Sequence, residues 1–470
     1  MPCLCAHELL LRLTCPGAQD VLLDLAGGRL RQVNELEALG HDAPVACLVG
    51  AAVNRAQFFE QDARGAALVR EQFNSITPEN SLKWENIHPR PDTFDFRDPD
   101  RYVSFGEKNH MVIIGHTLVW HRQTPKWVFE DEKGRPLSRA RLLKRMREHI
   151  HKVVGRYRGR IHGWDVVNEA LENDGTLRQS PWLKIIGEDY IAKAFQYAHE
   201  ADPKAELQYN DYALENEPKR AGAIELIRKL RARGVPVTAI GLQEHNRLDW
   251  PSVQEVDATI TAFGQLGIKV MITELDVDVL PAVAEDESAD VSRRLDSQPE
   301  WNPYVDGLPD QVQQELARRY ADLFRVFLKH RDVITRVTWW GVTDQDSWLN
   351  NWPVKGRTNY PLLFDRQGRP KPAFDAVIRQ HSSADPAHQP DTKDPNRHVG
   401  RPRSFQRIPH ASVNPTIAHA ALGLTVSQWL HIVRAANLSP NRTSAAYHGE
   451  SAGRRVDATD RLHQHASRFQ

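Results

Sequence analysis

The chain has 470 residues, 40% of them hydrophobic, enough to bury one large core with extensions at its ends. Lysine plus arginine and aspartate plus glutamate stand at 61 each, a balance that gives no global field for nucleic acid or an anionic membrane and suits a neutral substrate. No stretch approaches the roughly 18 apolar residues of a membrane helix, and the four cysteines, Cys3, Cys5, Cys15 and Cys47, lie before or at the very start of the main repeating region, which therefore relies on neither disulfides nor thiolate metal sites.

Residues 1–44 read as an irregular N-terminal extension. Its opening, MPCLCAHELLLRLTC, lacks a basic leading segment and breaks its short apolar run with Arg12, making it a poor secretory signal. Within it, VLLDLAGGRL is expected to pack as a helix near the start of the main domain. From about Val45 to about Ile378, short apolar runs ending in polar residues alternate with amphipathic stretches, the pattern of repeated βα units. The runs are ACLVGAAVN, FNSITPEN, MVIIGHTLVW, IHGWDVVNEA, AELQYNDYA, VTAIGLQEH, KVMITELDV and VITRVTWWGVTD. Among the intervening helices, LSRARLLKRMREHIHKVVGRY precedes the fourth strand and PSVQEVDATITAFGQLG the seventh. Eight such units predict an α/β fold, a closed (β/α)8 TIM barrel over residues 45–380. After the seventh strand, Pro281 to Pro309 is acidic and rich in serine, aspartate and proline, which predicts a long mobile loop bordering the barrel mouth. Residues 381–470 read as a low-order tail with room for one helix in ALGLTVSQWLHIVRAANL. The irregular spacing of the tail's histidines argues against a metal tract, and neither metal nor cofactor is expected.

The polar residues that end these runs fall where barrel enzymes assemble their sites. Asn80, His116, Trp120, Asn168, Glu169, Asn210, Asp211, Gln243, His245, Glu274, Asp276, Trp340 and Asp344 would line one mouth. Any one of them could be a strand-end cap, but so many on one rim point to a site. Glu169 in WDVVNEA and Glu274 in VMITELDVD are each expected as a carboxylate ending an apolar strand, on strands four and seven, which lie across the mouth from each other. Two carboxyl groups on opposite sides of a sugar satisfy glycosidic hydrolysis, one as proton donor and one as nucleophile or base. A purely structural buried ion pair would call for an arginine or lysine beside them, and the strand runs offer none close by. Asn168 and Trp120 would raise the pKa of Glu169 and keep it a general acid, while His245 and Asp276 would hold Glu274 ionised and aimed. Glu79, Asn80 and Lys83 in TPENSLKWE offer two acceptors and a cation to the sugars on the non-reducing side. Trp340 and Trp348 in WWGVTDQDSWLNNW would wall the reacting sugar, with Asp344, Asp346, Asn350 and Asn351 marking Trp348 as exposed. The twelve tryptophans of the chain are in keeping with stacking on sugar faces.

TPEN, GHTLVWH, WDVVNEA, ITELDV and the WGVTD to SW segment occur in one order with barrel-like spacing over about residues 45 to 380. Together they resemble glycoside hydrolase family 10, the endo-1,4-β-xylanases. The resemblance implies retention through a covalent glycosyl-enzyme, with Glu169 as acid/base and Glu274 as nucleophile. It also implies sugar-site roles for Glu79, Asn80, Lys83, His116, Trp120, Asn168, Gln243, His245, Trp340 and Trp348, the last blocking a hexose hydroxymethyl group. Glu244 and Asn246 in GLQEHN depart from that family, which usually has a small residue and an aromatic there. The resemblance further implies an exported, monomeric enzyme acting on xylan and xylo-oligosaccharides, without nucleic acid or membrane partners. Two other functions fit the same runs: a retaining β-glucanase on the same barrel, and a non-catalytic barrel that only binds polysaccharide.

Overall fold

The computed structural model describes residues 48–283, 295 and 298–383, and before residue 48 only the strands Leu11–Leu13, Val21–Asp24 and Arg29–Arg31. Those three strands form an antiparallel sheet in which Leu23 lies opposite Leu30. VLLDLAGGRL is therefore a strand pair and not the expected helix. Its consecutive glycines, Gly27 and Gly28, each disfavour a helix interior by about 1 kcal/mol. The expected tail beyond residue 383, its candidate helix included, lies outside the described residues. Within the Pro281 to Pro309 segment, residues 284–294, 296 and 297 also lie outside the described residues, while the described part includes a 3-10 turn at Pro299–Trp301 and a bridge between Leu295 and Val354.

Every apolar run singled out in the sequence supplies one barrel strand. They are β1 (Leu48–Val53), β2 (Ser75–Pro78), β3 (Val112–Val119), β4 (Gly163–Asn168), β5 (Glu206–Asp211), β6 (Ala239–Leu242), β7 (Lys269–Asp278) and β8 (Ile334–Trp339). Each pairs in parallel with the next, and β8 closes the ring on β1 with Thr338 opposite Gly50. A short further strand, His245–Arg247, was not anticipated; it pairs in parallel with Asp276, Val277 and Asp278, where β7 runs on past the ring.

Local signals explain the elements between the strands. Helix Arg139–Arg156 opens where the Ser138 side chain accepts from Arg141 N and turns Leu142, Met146, Ile150 and Val153 inward at helical spacing. Helix Val253–Gln265 opens on a capping box made by Ser252 and Glu255. Inside the ring the filling is partly polar. Arg336 donates to Gln208 Oε1 at 3.1 Å, Gln208 hydrogen-bonds Asp165, and Asp165 Oδ2 meets His116 Nδ1 at 2.8 Å. This ladder satisfies buried groups that would otherwise be costly and carries order up to the mouth. Gly241 in β6 permits a close approach at the mouth: a Cβ there would sit 2.2 Å from Asn210 Oδ1.

Candidate active site

Glu169 is the first residue beyond β4, and its backbone takes φ +56°. A non-glycine residue rarely adopts that left-handed conformation, which here is held by Glu169 N donating to Asn210 O and by Arg178 Nε donating to Glu169 O at 3.0 Å. The carboxyl group is 6% exposed and fully engaged. Trp120 Nε1 donates to its Oε2 at 2.8 Å, while Gln243 Nε2 and Asn168 Nδ2 donate to Oε1 at 3.1 and 3.2 Å. Burial raises its pKa, with the charges of Asp211 and Glu274 adding and the Gln243 and Trp120 hydrogen bonds opposing.

Glu274 stands within β7, not at its end, because the strand continues to Asp278. It is equally buried but titrates in the opposite direction. Burial pushes its carboxyl up; the His245 hydrogen bond, the proximity of His116 and His245, and the Asn210 hydrogen bond outweigh it and leave the pKa lowered. His245 Nε2 lies 3.2 Å from Glu274 Oε2 and its Nδ1 lies 3.0 Å from Asp276 Oδ1. For His245, burial disfavours the imidazolium, yet Asp276 and Glu274 overcome it and raise the pKa to about 10. The ring is thus protonated at neutral pH and donates to both carboxylates. Trp348 Nε1 donates to the other oxygen of Asp276 at 2.8 Å.

Both glutamates open on one cavity of about 540 Å³, lined also by Glu79, Asn80, Lys83, His116, Trp120, Asn168, Gln243, His245, Trp340 and Trp348. Every residue that was given a catalytic or sugar-contacting role is there; Asp276, expected to orient Glu274, stands behind His245 in an adjoining cavity of about 460 Å³. His245, Trp348 and Trp352 line both of these cavities. On the other side Glu79 and Asn80 are shared with a third, of about 680 Å³. The result is a groove that runs past the carboxyl pair in both directions. Lys83 Nζ donates to Asn80 Oδ1 at 3.1 Å and to Gln123 Oε1 at 2.9 Å, and burial lowers its pKa despite Glu274, Glu79 and Glu169 nearby. Burial pushes Glu79 up to about 7, Lys83 opposing and Asp346 adding.

The rest of the expected rim divides. Asp211 and Asp344 are buried ion-pair partners, Asp211 with Lys219 at 2.8 Å and Asp344 with Lys371 at 2.9 Å. Each lysine comes from outside the strand runs, where a reading of the strands alone could not find it. The polar surroundings of Trp348 are likewise less open than its neighbours suggest: Asn350 and Asp344 are buried, and Trp348 is half-buried, stacked on Trp352 at 4.7 Å. Trp340 is 8% exposed and edge-on to His116. Sequence reasoning placed Asn210 on the rim but gave it no role; its Nδ2 donates to Glu274 Oε1 at 2.7 Å and to Asn168 Oδ1 at 2.9 Å, joining the surroundings of the two carboxyls. It missed Gln123 and Arg178 altogether. Gln123 lies just beyond GHTLVWH and Arg178 is a lone arginine in a loop, so neither carried a local signal.

The sequence profile described as Glycosyl hydrolase family 10 matches residues 41–380. The chain is 45% identical over 332 residues to endo-1,4-beta-xylanase A of Xylanibacter ruminicola, covering 71% of this chain and 90% of that one. It is 41% identical over 333 residues to a beta-1,4-xylanase of Dictyoglomus thermophilum, covering 70% and 87%. Among solved structures, a GH10 endoxylanase from a sugarcane soil metagenome superposes with a TM-score of 0.69 at 49% identity, covering 70% of this chain and 96% of that one. A mutant protein in complex with xylotriose superposes with a TM-score of 0.63 at 37% identity, covering 70% and 96%.

Proposed function

The chain belongs to Glycosyl hydrolase family 10 and is a glycoside hydrolase of the endo-1,4-β-xylanase type; from that premise we propose that it cleaves internal xylosidic bonds of xylan with retention, by double displacement. The observation that carries this reading is the opposite titration of two equally buried carboxyls on one cavity, Glu169 raised and Glu274 lowered. Such a split separates a proton donor from a nucleophile. In the first step the Glu274 carboxylate attacks the anomeric carbon while the Glu169 acid gives its proton to the departing glycosidic oxygen, leaving a glycosyl ester on Glu274. In the second, the Glu169 carboxylate takes a proton from water, whose oxygen attacks the same carbon and releases Glu274. Retention requires the carboxyls about 5 to 5.5 Å apart.

Residues 45–380 are the catalytic barrel in this reading. Protonated His245, anchored by Asp276, keeps Glu274 ionised and aimed. The groove's continuation on both sides of the carboxyls supports endo action, since a chain can lie through it without presenting an end. Glu79, Asn80 and Lys83 take the sugars on the non-reducing side, and Trp340 and Trp348 wall the reacting one. Trp348, tied to Asp276, stands against the hydroxymethyl group that distinguishes glucose from xylose and so favours xylan over β-glucan. Proton NMR of xylo-oligosaccharide hydrolysis tests the whole reading in one spectrum. The β-anomer forming first is the expected outcome; the α-anomer first, or cleavage of β-glucan in preference to xylan, would overturn it.

A further inference from the structure

Gln243 and His245 touch the two catalytic carboxyls, and the residue between them points elsewhere. Glu244 takes φ +57° and its side chain is 2% exposed. Its conformation suits the small residue usual in the family; here a carboxylate occupies it and turns back into the protein. Asn246 Nδ2 donates to Glu244 Oε2 at 2.9 Å, while Oε1 is buried with no N–H or hydroxyl donor. A second buried carboxyl, Glu215, from the loop after β5, lies close enough for each to act on the other. Two carboxyl groups can share a hydrogen bond only if one of them carries a proton.

We infer that Glu215 and Glu244 share a single proton as a carboxylic acid–carboxylate pair, and that this pair is a positioning device for the arch Gln243–Glu244–His245. The backbone of the arch holds β7 directly: Glu274 N donates to Gln243 O at 3.0 Å and Asp276 N to Glu244 O at 3.3 Å. A shift of Glu244 therefore reaches Gln243 at Glu169 and His245 at Glu274 together. The charged groups facing the pair settle which member is ionised. Arg319, from helix Asp310–Lys329, faces Glu244 and also feels Glu215, Asp249 and Asp322. Lys219, from helix Glu217–Ala232, acts on Glu215, and His245 acts on Glu244 along its own segment. Burial raises both carboxyls, Glu215 well above the carboxylate range with the Glu244 charge adding, while the Asn246 amide and Arg319 oppose the rise at Glu244, so the proton rests on Glu215 and the charge on Glu244.

A group with a raised folded pKa stabilises the fold below its unfolded value and loses that contribution as pH rises through the folded one. On the alkaline side the pair becomes two like charges in one buried site, and the arch moves. Glu244→Gln keeps both hydrogen bonds, its amide donating to Glu215 and its oxygen accepting from Asn246, but has no proton to lose. The test compares wild type, Glu244→Gln and Glu215→Gln in the full-length enzyme by two readouts. One is melting temperature against pH; Glu215→Gln keeps both His245 and the Glu244 charge beside it, so the titration of His245 cancels in that difference. The other is kcat and KM against pH on a dinitrophenyl β-xylobioside, whose leaving group needs no proton from Glu169.

The wild-type melting temperature is expected to fall from neutral to alkaline pH more steeply than that of either variant. The alkaline midpoint of kcat is expected to rise by about one pH unit or more in the variants, with KM little changed. Parallel melting curves would remove the shared proton. Divergent melting curves with superimposable kcat profiles would remove the positioning role. The positioning role rests on the hydrolase reading above, whereas the melting curves do not, so failure to cleave any xyloside would sink that reading and leave the proton pair standing. Should one variant fail to fold, the other carries the same comparison from the opposite side of the hydrogen bond.

Discussion

Asn210 of β5 donates to Glu274 of β7 at 2.7 Å across the ring, although β6 lies between their strands. The contact is possible because the intervening residue is Gly241, which leaves the space that Asn210 fills. Thr273 Oγ1 donates to Asn210 Oδ1 at 2.6 Å and fixes which way the amide faces. A hydrogen bond to a charged group contributes about 1.5–3 kcal/mol, so Asn210→Ala is expected to lower kcat roughly 10- to 150-fold. Steady-state kinetics alongside a melting curve checks this, and a loss that appears only in stability would contradict it.

Gly241→Ala should reproduce part of that effect without touching a polar group. The new Cβ would lie 2.2 Å from Asn210 Oδ1 and 2.8 Å from Thr273 Cγ2, and overpacking of this kind costs about 1–3 kcal/mol. A lower melting temperature together with a lower kcat is expected. An unchanged kcat would mean that Asn210 does not govern Glu274.

Removing the carboxyls separately should divide their roles. Glu169→Ala is expected to lose about 10²- to 10⁴-fold on xylan but far less on a dinitrophenyl xyloside, with added azide giving a β-xylosyl azide. Glu274→Ala is expected to be inactive on both, with azide yielding the α-azide. Chromatography and NMR of the azide products decide the assignment, and exchanged outcomes would reverse the two roles.

His245 couples charge to activity. Its folded pKa of about 10 lies above the ordinary histidine value, so its contribution to stability is complete below about pH 6.5 and disappears as pH rises towards 10. His245→Asn also withdraws the hydrogen bond that lowers Glu274. The acid limb of kcat/KM should therefore move to higher pH in the variant, with kcat lower by about 10²-fold as aim is lost. An acid limb that stays in place would show that His245 does not set the ionisation of Glu274.

Trp348→Ala should relax the choice of sugar. Discrimination by a pocket wall against one extra carbon group is worth about 1–3 kcal/mol, so the ratio of kcat/KM for aryl xylobioside over aryl cellobioside is expected to fall roughly 5- to 150-fold. A ratio unchanged by the substitution would place the discrimination elsewhere, with Trp340 the next residue to vary.

The barrel could be read in the sequence because each strand is a short apolar run with a polar end, a signal contained within ten residues or so. All eight runs formed strands, and Glu169 and Glu274 could be singled out because each follows an apolar stretch with no cation close by in the strand runs. The same locality misled at VLLDLAGGRL, where apolar content suggested a helix and paired strands formed instead. It also misled at Asp211 and Asp344, which looked like site residues until Lys219 and Lys371 arrived from elsewhere in the chain.

By itself, then, the sequence determined the repeat, its closure and the residue types at the mouth, since alternation and strand-end chemistry are written in neighbouring positions. Only the tertiary structure decided how the carboxyls divide. Burial raises Glu169, with the charges of Asp211 and Glu274 adding, whereas His245, His116 and Asn210, on other strands or strand ends, draw Glu274 down against its own burial. The joining of Glu215 to Glu244 has the same origin. Burial and charge act through space, and residues distant in the chain share them only after the ring has closed.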